Sequence, residues 1–195
     1  MILFSREQLI HWQETECVRL LRACGIREGD RVIDFGCGRG NYAFGAAAAV
    51  GAAGIVCALD IDPGALSFLR EEAARRGVTN LRPLPSHEDA SMDFPDASAD
   101  AILIYDLIHV MELRARFLTE SRRVLKPGGV LSVLPFHMTG AEIQAMLDEV
   151  RQAGFSPASA VENEGLHFDL HKLFSPEEES LTELERGTVY NFIRL

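Results

Sequence analysis

The eleven residues Val32-Ile33-Asp34-Phe35-Gly36-Cys37-Gly38-Arg39-Gly40-Asn41-Tyr42 constrain this chain more than any other stretch. An apolar run ends near an acid, three glycines follow at every second position, and a helix-like segment comes next. The pattern predicts a buried strand, a turn without side chains to obstruct a ligand, and a helix N-terminus. Glycine lacks the Cβ that keeps backbone and ligand apart, and it accepts φ > 0. The helix start offers unpaired N–H groups to a polar or anionic partner. The remainder of the chain is expected to build a pocket around this loop.

Strand-like and helix-like patterns alternate along the whole sequence. Residues 31–35, 55–59, 78–84, 101–105, 130–134, 157–161 and 189–195 have the character of strands. Ser5 and Gln8 have capping-box spacing and open an amphipathic helix to about Cys24, with Gly25 as its stop. Further helices are expected over 42–50, from Pro63 to Gly77 behind the cap Asp62, over 113–124, and from Thr139 to about Ala153. A short acidic helix is expected at Ser175-Pro176-Glu177-Glu178, and Glu72 is expected to pair with Arg76 on an exposed face. This alternation predicts an α/β fold with an open sheet and helices on both faces. Ligands of such sheets sit beyond the carboxyl ends of the strands, where the glycine loop, Asp60 and Asp106 all fall.

At 195 residues the expectation is one domain, 1–195, with its N-terminal helix within 1–25 covering the pocket. The formal charge of −10 contains no dense Lys/Arg run, which disfavours nucleic acid as a partner. Cys17, Cys24, Cys37 and Cys57 show neither CxxC spacing nor a disulfide framework, as expected of reduced thiols in a cytoplasmic protein. No leader peptide is expected. The uncharged run 43–59 reaches the lower limit for a membrane span. Its Ala/Gly content, broken by Gly51 and Gly54, fits a helix, a turn and a buried strand better.

An acid two residues before the first of three alternating glycines, with another at the next strand's end, suits a nucleoside ligand. A carboxylate such as Asp60 can accept both ribose hydroxyls. The dinucleotide fingerprint G-x-G-x-x-G is not met, since its last glycine position is Asn41. Here the sequence resembles the class I S-adenosylmethionine-dependent methyltransferases, from Gly29 to the final strand. The resemblance rests on Asp34-Phe35-Gly36-Cys37-Gly38-Arg39-Gly40, on Asp60-Ile61-Asp62, on Phe94-Pro95-Asp96, and on Leu125-Lys126-Pro127-Gly128-Gly129.

The resemblance implies a Rossmann-like, seven-stranded, mostly parallel sheet whose last strand is antiparallel, and S-adenosylmethionine as cofactor. It implies that Gly36, Gly38 and Gly40 border the methionine part, with Asp34 supporting the loop. Asp60 would bind the ribose hydroxyls and Ile61 would pack on the adenine. Glu88 or Asp89 would meet the adenine amino group; the stretch His87-Glu88-Asp89 departs from the family's Gly-Asp-Ala pattern, which leaves the choice open. Tyr105 and Asp106 would face the methionine end.

His109 and His137 follow the fourth and fifth strands and are the candidate proton acceptors, each weighed against a plain hydrogen-bonded loop histidine. His167 and His171, four apart near Glu164, invite a metal reading, which Gly165 and the lack of a longer helical pattern oppose; no metal is expected. Trp12, Phe4 and Met1 are candidates for a lid or for plain packing, and Phe136 and Met138 for a substrate wall or core. The expected activity is methyl transfer to a small-molecule acceptor. The alternatives are a dinucleotide-dependent oxidoreductase, a non-catalytic S-adenosylmethionine-binding protein, and a methyltransferase acting on a protein.

Overall fold

Side chains that alternate along the strands feed two separate apolar layers, one on each face of a single sheet. Val32, Val56, Ala58, Ala101 and Leu103 point to one face and pack with Leu20, Leu21, Phe44 and Leu69 of the covering helices. Ile33, Cys57, Leu59, Ile102, Ile104 and Val133 point to the other and pack with Phe117, Leu118, Met146 and Val150. Strands buried on both faces read as continuous apolar runs, which is why the sequence shows them so clearly.

The computed structural model describes residues 2–3, 5–167 and 181–195. In chain order these form β1 (Ile2–Leu3), α1 (Arg6–Glu14), α2 (Glu16–Ala23), β2 (Arg31–Phe35), α3 (Ala43–Val50), β3 (Ile55–Asp60) and α4 (Pro63–Arg76). Then come β4 (Leu81–Pro85), β5 (Ala99–Tyr105), α5 (Arg114–Val124), β6 (Leu125–Leu134), α6 (Gly140–Gln152), β7 (Phe155–His167) and β8 (Leu181–Arg194). The main sheet has the order β4-β3-β2-β5-β6-β8-β7, with β8 antiparallel to both its neighbours. The two-residue β1 adds an eighth strand against the start of β8. Because the order reverses between β2 and β5, their carboxyl ends open a crevice.

Several expectations are corrected here. The first helix is two: α1 ends at Glu14, the φ and ψ of −120° and −80° at Thr15 break the helix, and α2 follows. The expected capping box is present at its start. Residues 125–129, left between the expected helix over 113–124 and the expected strand over 130–134, belong to β6, which begins at Leu125. Glu72 is not on an exposed face. It is buried, bonded to Arg75 and to Arg6 of α1, while Arg76 reaches Gln13 and Glu14 instead. Trp12 packs edge-on to Tyr42 within the core. His167 ends strand β7, so no helix carries it. Met1, Phe4, His171 and the acidic segment 175–178 lie outside the described residues. Among the described residues, no helix is long and apolar enough to cross a membrane, and 43–59 divides into α3, a turn and β3.

Candidate functional site

The glycine loop leaves β2 through three residues in the left-handed region, Gly36, Gly38 and Gly40, at φ of 78°, 51° and 95°. Two reasons require glycine there. A Cβ on Gly36 would stand 2.3 Å from Leu107 Cδ2, and one on Gly40 would stand 2.5 Å from Leu69 Cδ1. A Cβ on Gly38 would meet nothing within 4 Å, so this glycine faces open space. The Gly36 and Cys37 N–H groups both donate to the Leu59 carbonyl, at 2.8 and 2.9 Å, anchoring the turn to β3.

Asp60, at the end of β3, closes over the same loop. Its Oδ2 accepts from the Gly38 N–H at 2.7 Å and its Oδ1 from the Asp62 N–H at 2.9 Å. A carboxylate has about four lone-pair sites, so about two remain for a ligand. Asp34 lies within the sheet at 3% exposure, and its Oδ2 has no hydrogen-bond partner. Burial, and then the charge of Asp60, lift its pKa from 3.8 to about 7.

Beside the loop is a cavity of about 480 Å³, lined among others by Gly36, Asp60, Ile61, Glu88, Asp106 and Leu107. Ile61 is 66% exposed, an apolar side chain held out at the cavity wall. Glu88 lines the cavity and Asp89 does not. Asp89 is occupied elsewhere: Ser91 donates both N–H and hydroxyl to it, at 3.0 and 2.6 Å, and Arg116 stands 3.4 Å away. The Ser91 hydroxyl leads in holding its carboxyl below the usual range.

Of the other sequence candidates, Asp34, Gly38, Gly40, His109 and His137 do not line this cavity, and Tyr105 is turned away from it. Its ring is buried edge-on to Tyr42, 4.6 Å between centroids, and its hydroxyl bonds Ser132 at 2.7 Å. The strand alternation responsible is the same one that sends Leu103 to that face. Phe136 is likewise buried in the core, while Met138 packs partly buried on the opposite layer. Cys37 is buried, and burial pushes its thiol far up, so it is a filler and not a reactive thiol.

His109 and His137, distant in sequence, converge. Asp106 Oδ1 stands 3.8 Å from His109 Nδ1 and 3.7 Å from His137 Nε2. Two residues around the loop escape sequence reasoning. Leu107 lies on Gly36, and Gln13 of α1 donates to the Gly40 and Asn41 carbonyls, at 3.3 Å each. A glutamine in an amphipathic helix carries no signal of such a role. Among the described residues no group of three potential ligands could hold a metal ion.

A family model described as a methyltransferase domain matches residues 33–133. Over 116 residues the chain is 35% identical to the ubiquinone/menaquinone biosynthesis C-methyltransferase UbiE of Chromobacterium violaceum, covering 60% of this chain and 47% of that protein. Over 133 residues it is 32% identical to the aklanonic acid methyltransferase DauC of a Streptomyces species, covering 63% and 60%. The chain thus spans about half the length of the curated relatives it matches. In three dimensions it is similar to a SAM-dependent methyltransferase from Aquifex aeolicus, with a TM-score of 0.74, 21% identity, and 94% and 92% of the two chains covered. That likeness shows the seven-stranded fold.

Proposed function

Because the chain belongs to the methyltransferase domain family, we propose that it transfers a methyl group from S-adenosylmethionine to a small-molecule acceptor. The observation that carries this reading is Asp60, whose carboxylate ties down the glycine loop and still lines the cavity with acceptor capacity left over. Two vicinal hydroxyls of a ribose match that capacity. The open space at Gly38 fits the same ligand, since a bulky group is accommodated there without a clash.

On this reading Gly36, Gly38 and Gly40 border the methionine part, with Asp34 supporting them from below. Ile61 packs on the adenine. Glu88, which lines the cavity, meets the adenine amino group in preference to Asp89, which is engaged by Ser91 and Arg116. Bound there, the sulfonium of the cofactor would supply an activated methyl group. The protein's task is then mainly to align acceptor and methyl.

Relatives named for quinone biosynthesis and for aklanonic acid support a small molecule over a protein as acceptor. Asn41 in place of the last fingerprint glycine supports the nucleoside reading over a dinucleotide. The four buried, unpaired cysteines support a cytoplasmic location. Calorimetric titration with S-adenosylhomocysteine tests the assignment, with binding expected at micromolar to submillimolar concentration. No binding in that range, or thermal stabilisation by NAD(H) or FAD alone, overturns it.

A further inference from the structure

Among the described residues that line the cavity beside the glycine loop, His87 alone can carry a positive charge. The backbone explains how it comes to stand there. β4 runs parallel to β3 with Pro85 opposite Asp60, and the Ser86 N–H donates to the Asp60 carbonyl at 2.9 Å. His87 and Glu88 therefore leave β4 beside the acid that lines the same cavity. The Ala90 N–H then donates to the His87 carbonyl at 3.1 Å, and Ala90 is buried in the left-handed region at φ 59°. This tight turn sinks a methyl group into the core and leaves His87 and Glu88 on the cavity wall.

Asp93 decides which ring nitrogen of His87 is which. His87 Nε2 stands 2.8 Å from Asp93 Oδ2. An ionised carboxylate only accepts, so Nε2 carries the proton of the neutral ring and Nδ1 keeps its lone pair. Among the described residues, Nδ1 has no hydrogen-bond partner. Glu88, the next residue, brings a carboxylate to the same cavity. Two acceptors thus stand on successive residues, and the 6-amino group of an adenine carries two N–H donors.

We propose that His87 is a specificity-determining residue for the nucleobase of the methyl donor: when neutral, its Nδ1 accepts one N–H of the 6-amino group while Glu88 accepts the other. This rests on the methyltransferase reading above. The family's Gly-Asp-Ala pattern has no side chain at the first of these positions, so the imidazole is an addition made by this chain. A 6-oxo purine presents an acceptor in place of the amino group, and it pairs with the imidazolium but not with the neutral ring. Selectivity for the amino form is therefore present above the pKa of His87 and is lost as pH falls through it. The hydrogen bond to Asp93, then the charges of Asp93 and Asp89, raise that pKa above its ordinary value. The other charged groups of the cavity wall are acidic as well: Glu88 beside the ring, Asp60 at the end of β3, and Asp106 and Glu112 after β5. Arg116 of α5 stands 3.4 Å from Asp89 and offsets that charge. The ring itself is half exposed, so it exchanges protons with solvent in the folded protein.

Calorimetric titration with S-adenosylhomocysteine and with its 6-oxo counterpart, S-inosylhomocysteine, from about pH 8.5 to about pH 6 tests the proposal. The ratio of the two dissociation constants cancels any titration that both ligands share, that of Asp34 included. The amino ligand is expected to be preferred at the upper pH, and the preference to shrink by about three- to tenfold at the lower, the worth of one hydrogen bond. His87→Phe keeps the bulk of the ring without its nitrogens, and its ratio is expected to be flat with pH. Asp93→Asn removes the charge that holds the proton, and its transition is expected at lower pH. A merely structural role lowers both affinities together and leaves the ratio unmoved. A ratio independent of pH in the wild type, an unchanged profile in His87→Phe, or an unmoved transition in Asp93→Asn overturns the proposal. Failure of the wild type to bind either ligand overturns the underlying reading instead.

Discussion

The backbone N–H of Gly38 donates to Asp60 Oδ2 at 2.7 Å, so the loop after one strand is held by the acid that ends its neighbour. A hydrogen bond to a charged group contributes about 1.5–3 kcal/mol. Asp60 therefore both shapes the loop and presents its remaining acceptors to the cavity.

Replacing Asp60 by Ala removes the loop tether and the proposed ribose partner together. Affinity for S-adenosylhomocysteine is expected to fall by about ten- to a hundredfold, the equivalent of one such bond. Asp60→Asn, which keeps one carbonyl acceptor, is expected to fall between. Isothermal titration of the three proteins checks the order; equal affinities would remove Asp60 from the site.

The loop glycines divide into two kinds. Gly40→Ala places a methyl 2.5 Å from Leu69 and 3.0 Å from the Phe44 ring at φ 95°, and is expected to cost about 1–3 kcal/mol of stability. Gly38→Ala meets nothing, and pays chiefly for its left-handed backbone, about 1 kcal/mol. Thermal denaturation is expected to show the larger drop for Gly40→Ala. Titration is expected to show Gly38→Ala folded but binding S-adenosylhomocysteine at least tenfold more weakly, about 1.4 kcal/mol.

Asp34 makes stability depend on pH with a definite sign. Its carboxyl titrates at about 7 in the fold and near 3.9 in an unfolded chain. Between those values the folded protein holds a proton that the unfolded chain has released. Stability therefore falls as pH rises through that window and levels off above it. The full effect is of the order of 4 kcal/mol. Asp34→Asn abolishes this titration, so its thermal midpoint without ligand is expected to exceed the wild type at pH 8 and to approach it by pH 5. Parallel curves would show that Asp34 does not titrate in this range.

Gln13 links three elements: its Nε2 donates to the Gly40 and Asn41 carbonyls, and its Oε1 accepts from Arg76 at 2.6 Å. Arg76 itself is only 9% exposed and lies over the Phe44 ring. Gln13→Ala is expected to cost about 2 kcal/mol, because it strips a nearly buried cation of a partner. Adding Arg76→Met is expected to recover part of that loss. A double-mutant cycle measures the coupling.

Local chemistry made much of this legible in advance. Asp62 before Pro63, and Gly77 after Arg76, bound α4 as their capping roles require, with the Asp62 side chain accepting from Gly64 and Gly77 at φ 67°. The largely apolar runs at 31–35, 55–59 and 101–105 are strands because both faces of the sheet are covered. The break at Thr15 left no such mark, since neither glycine nor proline stands there. The Glu72–Arg76 expectation failed because spacing on one helix says nothing of the arginine that another helix brings in.

By itself the sequence determined the alternation of strands and helices, the glycine loop, and the acids at the ends of β2 and β3. Periodicity, turn chemistry and caps act within a few residues, and all of these are short-range properties. Only the tertiary structure decided that Tyr105 turns inward, that Glu88 and not Asp89 borders the cavity, and that His109 and His137 meet across Asp106. Those outcomes depend on strand register and on which elements pack together. Interactions between residues some thirty positions apart are not encoded in any local pattern.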